Sequence, residues 1–310
     1  MNRREFLAFP FLTATNVWGE QRQLKTLKMT VLAMKTHGLS IVLTTPGGKT
    51  WLIDTGLRPT GDYYAARDSI SPFLKASGVR EIDGVLISHP HGDHYGGVPY
   101  LLDNFKVGQL VDAGYAEIGG TELETYRKLR ARFVGSGGRS VTVRQGDALS
   151  LDPALNAEVI WPPDGLYRPD PAKKDDALYN GNSVVLRVKH GANVFLFPGD
   201  CHGIAKLQAR IGAERLLCDV LVAPHHGLNS TPAMAEATKP RIVLVSSLRE
   251  YSNPTIFPAR LTENAFATTQ SKVYTTWSVG NITVESDGKR ISVTTEKNPV
   301  LSPVPAEPAP

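Results

Sequence analysis

A mixed α/β chain, with two similar halves each supplying a sheet and helices packed outside, is the fold class this sequence predicts. Three observations carry it. Short β-branched runs of strand length recur in both halves, segments of helical pattern closed by glycine separate them, and the run Gly84-Val-Leu-Ile87 reads as a buried strand.

Strands are expected at residues 26–32, 40–44 and 50–53, with Pro46-Gly47-Gly48 as a hairpin turn between the last two. Residues 68–77 read as a helix stopped by Gly78, residues 85–88 as a buried strand, and residues 121–133 as a further helix. Strands at 109–112 and 141–144 complete the first sheet. The second half repeats the style, with strands at 159–161, 183–189 and 193–197, a helix at 204–211, then strands at 220–223 and 242–246 and, at its end, 272–275 and 282–285.

With 310 residues, 41% hydrophobic and 21% charged, the chain is long enough for a sizeable core, and no Pro/Ser-rich linker divides its middle. One domain over residues 26–297 is expected, followed by a loose Pro-rich tail at 298–310. Asn2-Arg3-Arg4-Glu5-Phe6-Leu7 resembles a twin-arginine export signal, assigning residues 1–25 to a leader and the mature protein to the periplasm or another extracytoplasmic space. The apolar stretch at 7–17 is too short and too interrupted to span a bilayer, so no membrane segment is expected beyond that signal. A formal charge of +4 with scattered Lys and Arg is no footprint of a dedicated duplex binder, so charge does not argue for nucleic acid as a partner. The densest basic group, Arg127, Lys128, Arg130 and Arg132, falls on a helix and reads as a solvated face. Cys201 and Cys218 would be able to pair in an exported protein, but their spacing leaves this open; two buried inert thiols are the default.

His89-Pro-His91-Gly-Asp93-His94, directly behind the buried strand, packs three imidazoles and a carboxylate into six residues. These are donors for borderline and hard divalent ions. Side chains at i and i+2 of an extended segment point the same way, so His89 and His91 can grip one ion, while Asp93 and His94 are placed for a second.

Ser88 to Gly97 resembles the His-x-His-x-Asp-His motif of metallo-β-lactamase fold hydrolases, and other landmarks follow in order. Leu52-Ile-Asp54-Thr-Gly56 is similar to the family's first motif, whose Asp orients the His-bearing loop from behind. Phe197-Pro-Gly199-Asp200 is similar to the motif whose Asp bridges two metals, and Val222-Ala-Pro-His225-His226-Gly227 to the final His that completes the second ion's shell. The resemblance implies a four-layer αββα sandwich with His89, His91, Asp93, His94, Asp200 and His225 as metal ligands. His225 is the preferred ligand of its pair and His226 the substrate-facing group, with exchange of the two roles left open because adjacent side chains diverge. The cofactors implied are two divalent ions, zinc first, with Mn2+ or Fe2+ as alternatives. A further family His between the first motif and Asp200 has no counterpart, since only His190 lies in that interval; the Asn182 amide is a candidate to help there.

A narrower resemblance, to the C-terminal hydrolase domain of ComEC-type competence proteins, rests on Gly146-Asp147, Trp161-Pro-Pro163, Asn180-Gly-Asn182-Ser183 and Asp219 to Gly227. Gly38-Leu39 and Ser252-Asn253-Pro254 stand where that group has Gly-Asp and Gly-His-Pro. The reaction implied is hydrolysis by a metal-bound hydroxide of a phosphodiester or other small anionic substrate. Asp93 would orient the nucleophile and His226 would protonate the leaving group. Hydrolysis of a lactone, lactam or thioester, or metal binding without catalysis, are the alternatives; a basic, aromatic-lined groove would favour the first reading and an apolar pocket the second. Ser230-Thr231-Pro232 reads as an N-cap with Pro at the first helical position, offering either an anion site or a plain cap.

Overall fold

The apolar runs pair into two facing sheets in the computed structural model, which describes residues 26–115, 121–166, 175–202, 207, 210–250, 255–297 and 302–303. The expected export signal and the Ser252-Asn253-Pro254 departure lie outside the described residues, as does most of the expected tail.

In the first half β1 (Leu27–Val31), β2 (Ile41–Thr44) and β3 (Thr50–Ile53) form an antiparallel meander. The chain then passes through α1 (Ser71–Ala76) and β4 (Glu81–Ile82) to β5 (Gly84–Leu86), and through α2 (Gly92–Tyr95), α3 (Val98–Asn104) and β6 (Lys106–Val107) to β7 (Gln109–Asp112). After α4 (Thr121–Gly135) comes β8 (Arg139–Thr142), and β3, β5, β7 and β8 lie parallel, each beside the next. The last strand was expected two residues later. Its side chains are half-buried or exposed, so apolar pattern marks its ends poorly.

The second half repeats this order. β9 (Asn156–Trp161), β10 (Val185–His190) and β11 (Asn193–Phe197) are antiparallel, with α5 (Asp175–Gly181) between the first two. β12 (Val220–Val222), β13 (Ile242–Val245) and β14 (Lys272–Thr275) follow in parallel, joined by α6 (Pro232–Thr238) and α7 (Pro258–Ala265). The short α8 (Thr276–Val279) comes next.

One expectation is corrected. The strand at 282–285 does not extend the second sheet: β15 (Ile282–Ser286) crosses back and pairs antiparallel with β1, and β16 (Ile291–Thr295), which the sequence reading missed, pairs with β15. Their alternating burial, with every second residue half-exposed, is that of an antiparallel sheet wet on one side. Ser302–Pro303 in the expected tail form β17 beside β16.

Period-two alternation divides the core. Val220 and Val222 of β12, and Ile242 and Leu244 of β13, face inward with Met29, Trp51 and Phe195 between the sheets. Leu221, Val243 and Val245 face outward against Met234 of α6 and Phe266. Strands β5, β12 and β13 are buried throughout. Their C-terminal ends can therefore hold loop residues in fixed positions.

Candidate metal centre

Strand β5 ends at Leu86, and Ile87 is still held by an N–H donated to the Val111 carbonyl (2.8 Å), so the next residues leave from a rigid edge. The Ser88 carbonyl is pinned by the Tyr115 hydroxyl (2.7 Å), which also donates to the Asn182 carbonyl (3.1 Å) and so ties the metal loop to the second half. Gly92 opens the turn of α2, and the loop packs so closely on its neighbour that a Cβ at Gly38 (φ +138°) would lie 2.9 Å from the Asp93 carbonyl oxygen.

Asp54, fully buried just past β3 with φ 58°, is the acceptor at the base of this loop. It receives the Ser88 N–H (2.7 Å) and hydroxyl (2.7 Å) and lies 2.8 Å from His94 Nδ1. A carboxylate there places the His94 proton on Nδ1 and turns a bare Nε2 toward the interior. Ser88 Oγ, its proton given to Asp54, accepts from His89 Nδ1 at 3.0 Å, which likewise frees His89 Nε2. That atom stands 2.8 Å from His91 Nδ1.

Asp200 enters from the other sheet, after β11, its N–H bound to Ser183 Oγ (3.2 Å). Its Oδ2 lies 3.2 Å from His94 Nε2, 3.6 Å from His225 Nε2, 3.8 Å from His89 Nε2 and 3.9 Å from His226 Nε2. Asp93 Oδ2 lies 3.2 Å from His226 Nε2 and 3.8 Å from His94 Nε2. Two donor sets result, His89, His94 and Asp200 in one and Asp93, His94 and His226 in the other.

Two observations fit divalent ions to these sets. His94 Nε2 and Asp200 Oδ1 are buried with no hydrogen-bond partner among the described residues, a costly arrangement unless an ion takes the lone pairs. Burial also resists a charge on His94, yet the carboxylates of Asp200, Asp54 and Asp93 outweigh it and raise its pKa well above the ordinary imidazole range. His226 moves upward in the same way, against burial, through Asp200 and Asp93. Burial and the charge on His94 press His89 well below that range. Despite burial, Asp200 is held low by His94, His226 and His89. The three acids thus demand positive charge, which a proton or a cation can supply.

The paired histidines are held differently. Both adopt left-handed backbone, φ 53° at His225 and 56° at His226, a strained turn for two residues that carry a Cβ. His226 is buried, with Nδ1 3.2 Å from the Ser246 carbonyl beyond β13 and Nε2 facing Asp93. The side chain of His225 is 21% exposed, and its Nδ1 lies 3.4 Å from His202 Nε2. His226 therefore lies in a buried donor set with Asp93 and His94, and His225 on the accessible side.

Other expected residues are placed differently. The Asn182 amide donates to the Leu178 carbonyl (2.8 Å) at the end of α5. Thr231 Oγ1 caps α6 by accepting from Met234 N (3.2 Å), and Ser230 Oγ bonds Thr262 Oγ1 (2.9 Å), so both hydroxyls serve the fold, and a helix of seven residues is the plain-cap outcome. On the basic helix, Arg130 pairs with Asp112 (3.1 Å), Arg132 with Asp103 (2.8 Å), and Arg127 donates to the Tyr115 carbonyl (2.6 Å). Cys201 and Cys218 are buried free thiols, and burial pushes Cys201 up to about 12.

Three residues at the site were missed. His202 follows Asp200 at the same i, i+2 spacing that singled out His89 and His91, and was legible on that ground. Tyr179 meets the His91 ring edge-on at 5.4 Å, and His37 lies close enough to His226 and Asp93 to feel both charges. Neither carries a local sequence signal.

A sequence profile of the Metallo-beta-lactamase superfamily matches residues 35–232. Competence protein ComA of Neisseria gonorrhoeae is 31% identical over 229 residues, covering 71% of this chain and 27% of that protein. ComE operon protein 3 of Bacillus subtilis (strain 168) is 27% identical over 179 residues, covering 57% of this chain and 21% of that protein. The ComEC-type likeness read from the motifs is found again in these relatives, though the chain spans only about a quarter of their length. Igni18, a metallo hydrolase from the archaeon Ignicoccus hospitalis, superposes with a TM-score of 0.50 at 15% identity, covering 83% of this chain and 98% of that one. Zn2+-bound PqqB from Methylobacterium extorquens does so with a TM-score of 0.50 at 13% identity, covering 80% and 97%. At such identities the likeness is one of fold. Motif loop, strand-end acids, duplicated sheet order and profile agree, and the chain belongs to the metallo-β-lactamase superfamily, a hydrolase fold.

Proposed function

We propose that this protein hydrolyses a phosphodiester, or a related small anionic substrate, with two divalent ions held between its sheets. The observation that carries the reading is the pair of partnerless buried atoms, His94 Nε2 and Asp200 Oδ1, inside a shell of imidazoles and carboxylates. His89 Nε2, His91 Nδ1 and Asp200 would hold the first ion; Asp93, His94, His226 and Asp200 the second. Imidazole with carboxylate suits zinc first. Bound divalent ions supply Lewis acidity and lower the pKa of water toward neutrality.

The remaining work falls to the chain. Asp54 and the Ser246 carbonyl fix the tautomers of His94 and His226, so that both Nε2 atoms stay bare. With both nitrogens of His226 engaged inward, the leaving-group role passes to His225. Its side chain is partly exposed, and its Nδ1 is backed by His202. The substrate class draws support from the likeness to segments of competence proteins.

The test is elemental analysis of purified protein alongside turnover of bis-p-nitrophenyl phosphate and nitrocefin, in wild type and His91→Ala. Close to two ions per chain with His91-dependent diester turnover is expected. Nitrocefin turnover alone would move the substrate to a lactam. Protein that takes up no metal on reconstitution would end the catalytic reading.

A further inference from the structure

We infer that the outer side of His225, together with His202 and the side-chain amide of Asn180, forms a third divalent-cation site of zinc type, and that an ion there inhibits turnover. The inhibition rests on the proton-transfer role proposed for His225. The cation site itself rests on separate observations.

Three segments bring the donors together: Asn180 lies near the end of α5, His202 five residues past β11 and His225 three residues past β12. His202 Nε2 stands 3.4 Å from His225 Nδ1 and 3.3 Å from Asn180 Nδ2. Both separations exceed the roughly 2.9–3.0 Å usual for an N–H hydrogen bond. They match the edge of a tetrahedron instead: ligand atoms about 2.0–2.1 Å from one zinc ion lie about 3.3–3.4 Å from each other. Two imidazoles on such an ion have ring centres about 5.2 Å apart, and the His202 and His225 centroids are separated by 5.4 Å.

The amide supplies an independent observation. Asn180 is only 3% exposed, and its Oδ1 is buried with no hydrogen-bond partner among the described residues. A half-turn about the Cβ–Cγ bond exchanges Oδ1 with Nδ2 and offers that idle oxygen at the position facing His202 Nε2. The number of idle buried atoms is the same in both states, while an ion gains an oxygen ligand. Behind His225, Asp200 Oδ2 lies 3.6 Å from Nε2, so a carboxylate is placed to hold the ring's proton on Nε2 and leave Nδ1 bare for a metal. His202 is exposed, which gives an ion a path from solvent and water for its fourth position. Two imidazoles and a neutral amide bring no negative charge, so this ion would be held less tightly than those of the inner centre and would arrive only in excess zinc. There it takes the Nδ1 lone pair through which His225 exchanges protons with solvent, and its waters crowd the accessible side of the ring.

The experiment is equilibrium dialysis of metal-free, full-length protein against rising zinc, in wild type, His202→Ala and Asn180→Asp. Bound metal is counted by elemental analysis, and bis-p-nitrophenyl phosphate turnover is read at each concentration. Thermal unfolding of each variant serves as the fold control. Wild type should take up two equivalents first and a third at higher zinc, with turnover falling by up to about 10²–10⁴-fold as the third binds. His202→Ala should stop at two equivalents and keep its own turnover in excess zinc, whereas Asn180→Asp, which adds a carboxylate donor, should fill the third site at lower zinc than wild type. Wild-type uptake that stops at two, or a third equivalent retained by His202→Ala, would overturn the cation site. A third equivalent that leaves turnover unchanged would overturn the inhibition. Protein without diester turnover would sink the catalytic reading and the inhibition with it, while a His202-dependent equivalent in dialysis would leave the cation site standing.

Discussion

Asp54→Asn isolates what the acid behind the metal loop does, because it keeps the volume and changes only charge and donor pattern. In the native site the carboxylate accepts the Ser88 N–H and hydroxyl and faces His94 Nδ1, each at 2.7–2.8 Å. An asparagine can keep the Ser88 N–H on its Oδ1, but its Nδ2 then meets Ser88 Oγ and His94 Nδ1, where donors already point. The least costly relief is for His94 to accept at Nδ1 and carry its proton on Nε2, the atom that faces Asp200 at 3.2 Å. That proton must leave before an ion can bind. Losing one hydrogen bond to a charged group costs about 1.5–3 kcal/mol. Replacing such a supporting partner lowers metal affinity about 10–100-fold, or about 1.4–2.8 kcal/mol, the same range reached from the other side. Zinc titration against a competing chelator should therefore show a Kd raised by one to two orders of magnitude, with the fold intact by circular dichroism. A variant that binds zinc within twofold of wild type would refute the claim that Asp54 sets the His94 tautomer.

Three further outcomes are expected. His226→Ala should lose about half of the bound metal by elemental analysis, whereas His225→Ala should retain the metal and lose turnover by about 10²–10⁴-fold; equal metal loss in both would return the ligand role to His225. In Gly84→Ala the new Cβ would sit 2.3 Å from the buried Trp51 ring, so urea unfolding should report a loss of about 1–3 kcal/mol, and unchanged stability would contradict the packing of β3 on β5. Asp152 is lowered despite the burial that opposes its charge, by hydrogen bonds from Ala154 N, Thr45 Oγ1 and Gly47 N. Because its folded pKa lies below the unfolded value of about 3.9, its stabilisation is present above that pH and lost as pH falls through the folded value. The stability gap between wild type and Asp152→Ala, followed in urea, should be widest near neutrality and shrink below about pH 4; a pH-independent gap would show that the carboxylate charge is not what holds the turn.

Gln109–Asp112, buried over three of its four residues, has the expected bounds, and so does Lys272–Thr275, although it is half-exposed at the edge of its sheet; Arg139–Thr142, at the edge of the other sheet, slipped by two residues. The return of β15 to β1 was not legible, since nothing local in Ile282–Ser286 distinguishes pairing with Leu27–Val31 from continuing the second sheet. The same limit governed the paired histidines. Which of two adjacent rings points inward depends on the left-handed turn at 225–226 and on a carbonyl twenty residues away, and both are products of the assembled fold. Asp54, His89, His91, Asp93, His94 and Asp200 were named from motif order because each lies on the segment that leaves a buried strand, one residue past β3 for Asp54, three past β11 for Asp200 and three to eight past β5 for the His89–His94 loop.

That placement follows from the duplicated sheets. Each half runs three antiparallel strands and then three parallel ones, so β3 corresponds to β11, β5 to β12 and β7 to β13. Asp54 leaves β3 and Asp200 leaves β11; the His89–His94 loop leaves β5 and the His225-His226 turn leaves β12. The neighbouring parallel strand supplies the anchor in both halves, Tyr115 beyond β7 holding the Ser88 carbonyl and Ser246 beyond β13 holding His226. Equivalent positions have been put to opposite uses. Asp54 faces three polar partners from its own half, whereas Asp200 Oδ1 has no hydrogen-bond partner among the described residues and Oδ2 faces imidazoles from both halves. A saturated acid can orient a ligand but cannot be one, and a bare buried acid is tolerable only where positive charge arrives. In the proposed metal centre, the difference between a supporting Asp54 and an ion-binding Asp200 would therefore be set by how many donors each acid's own half supplies.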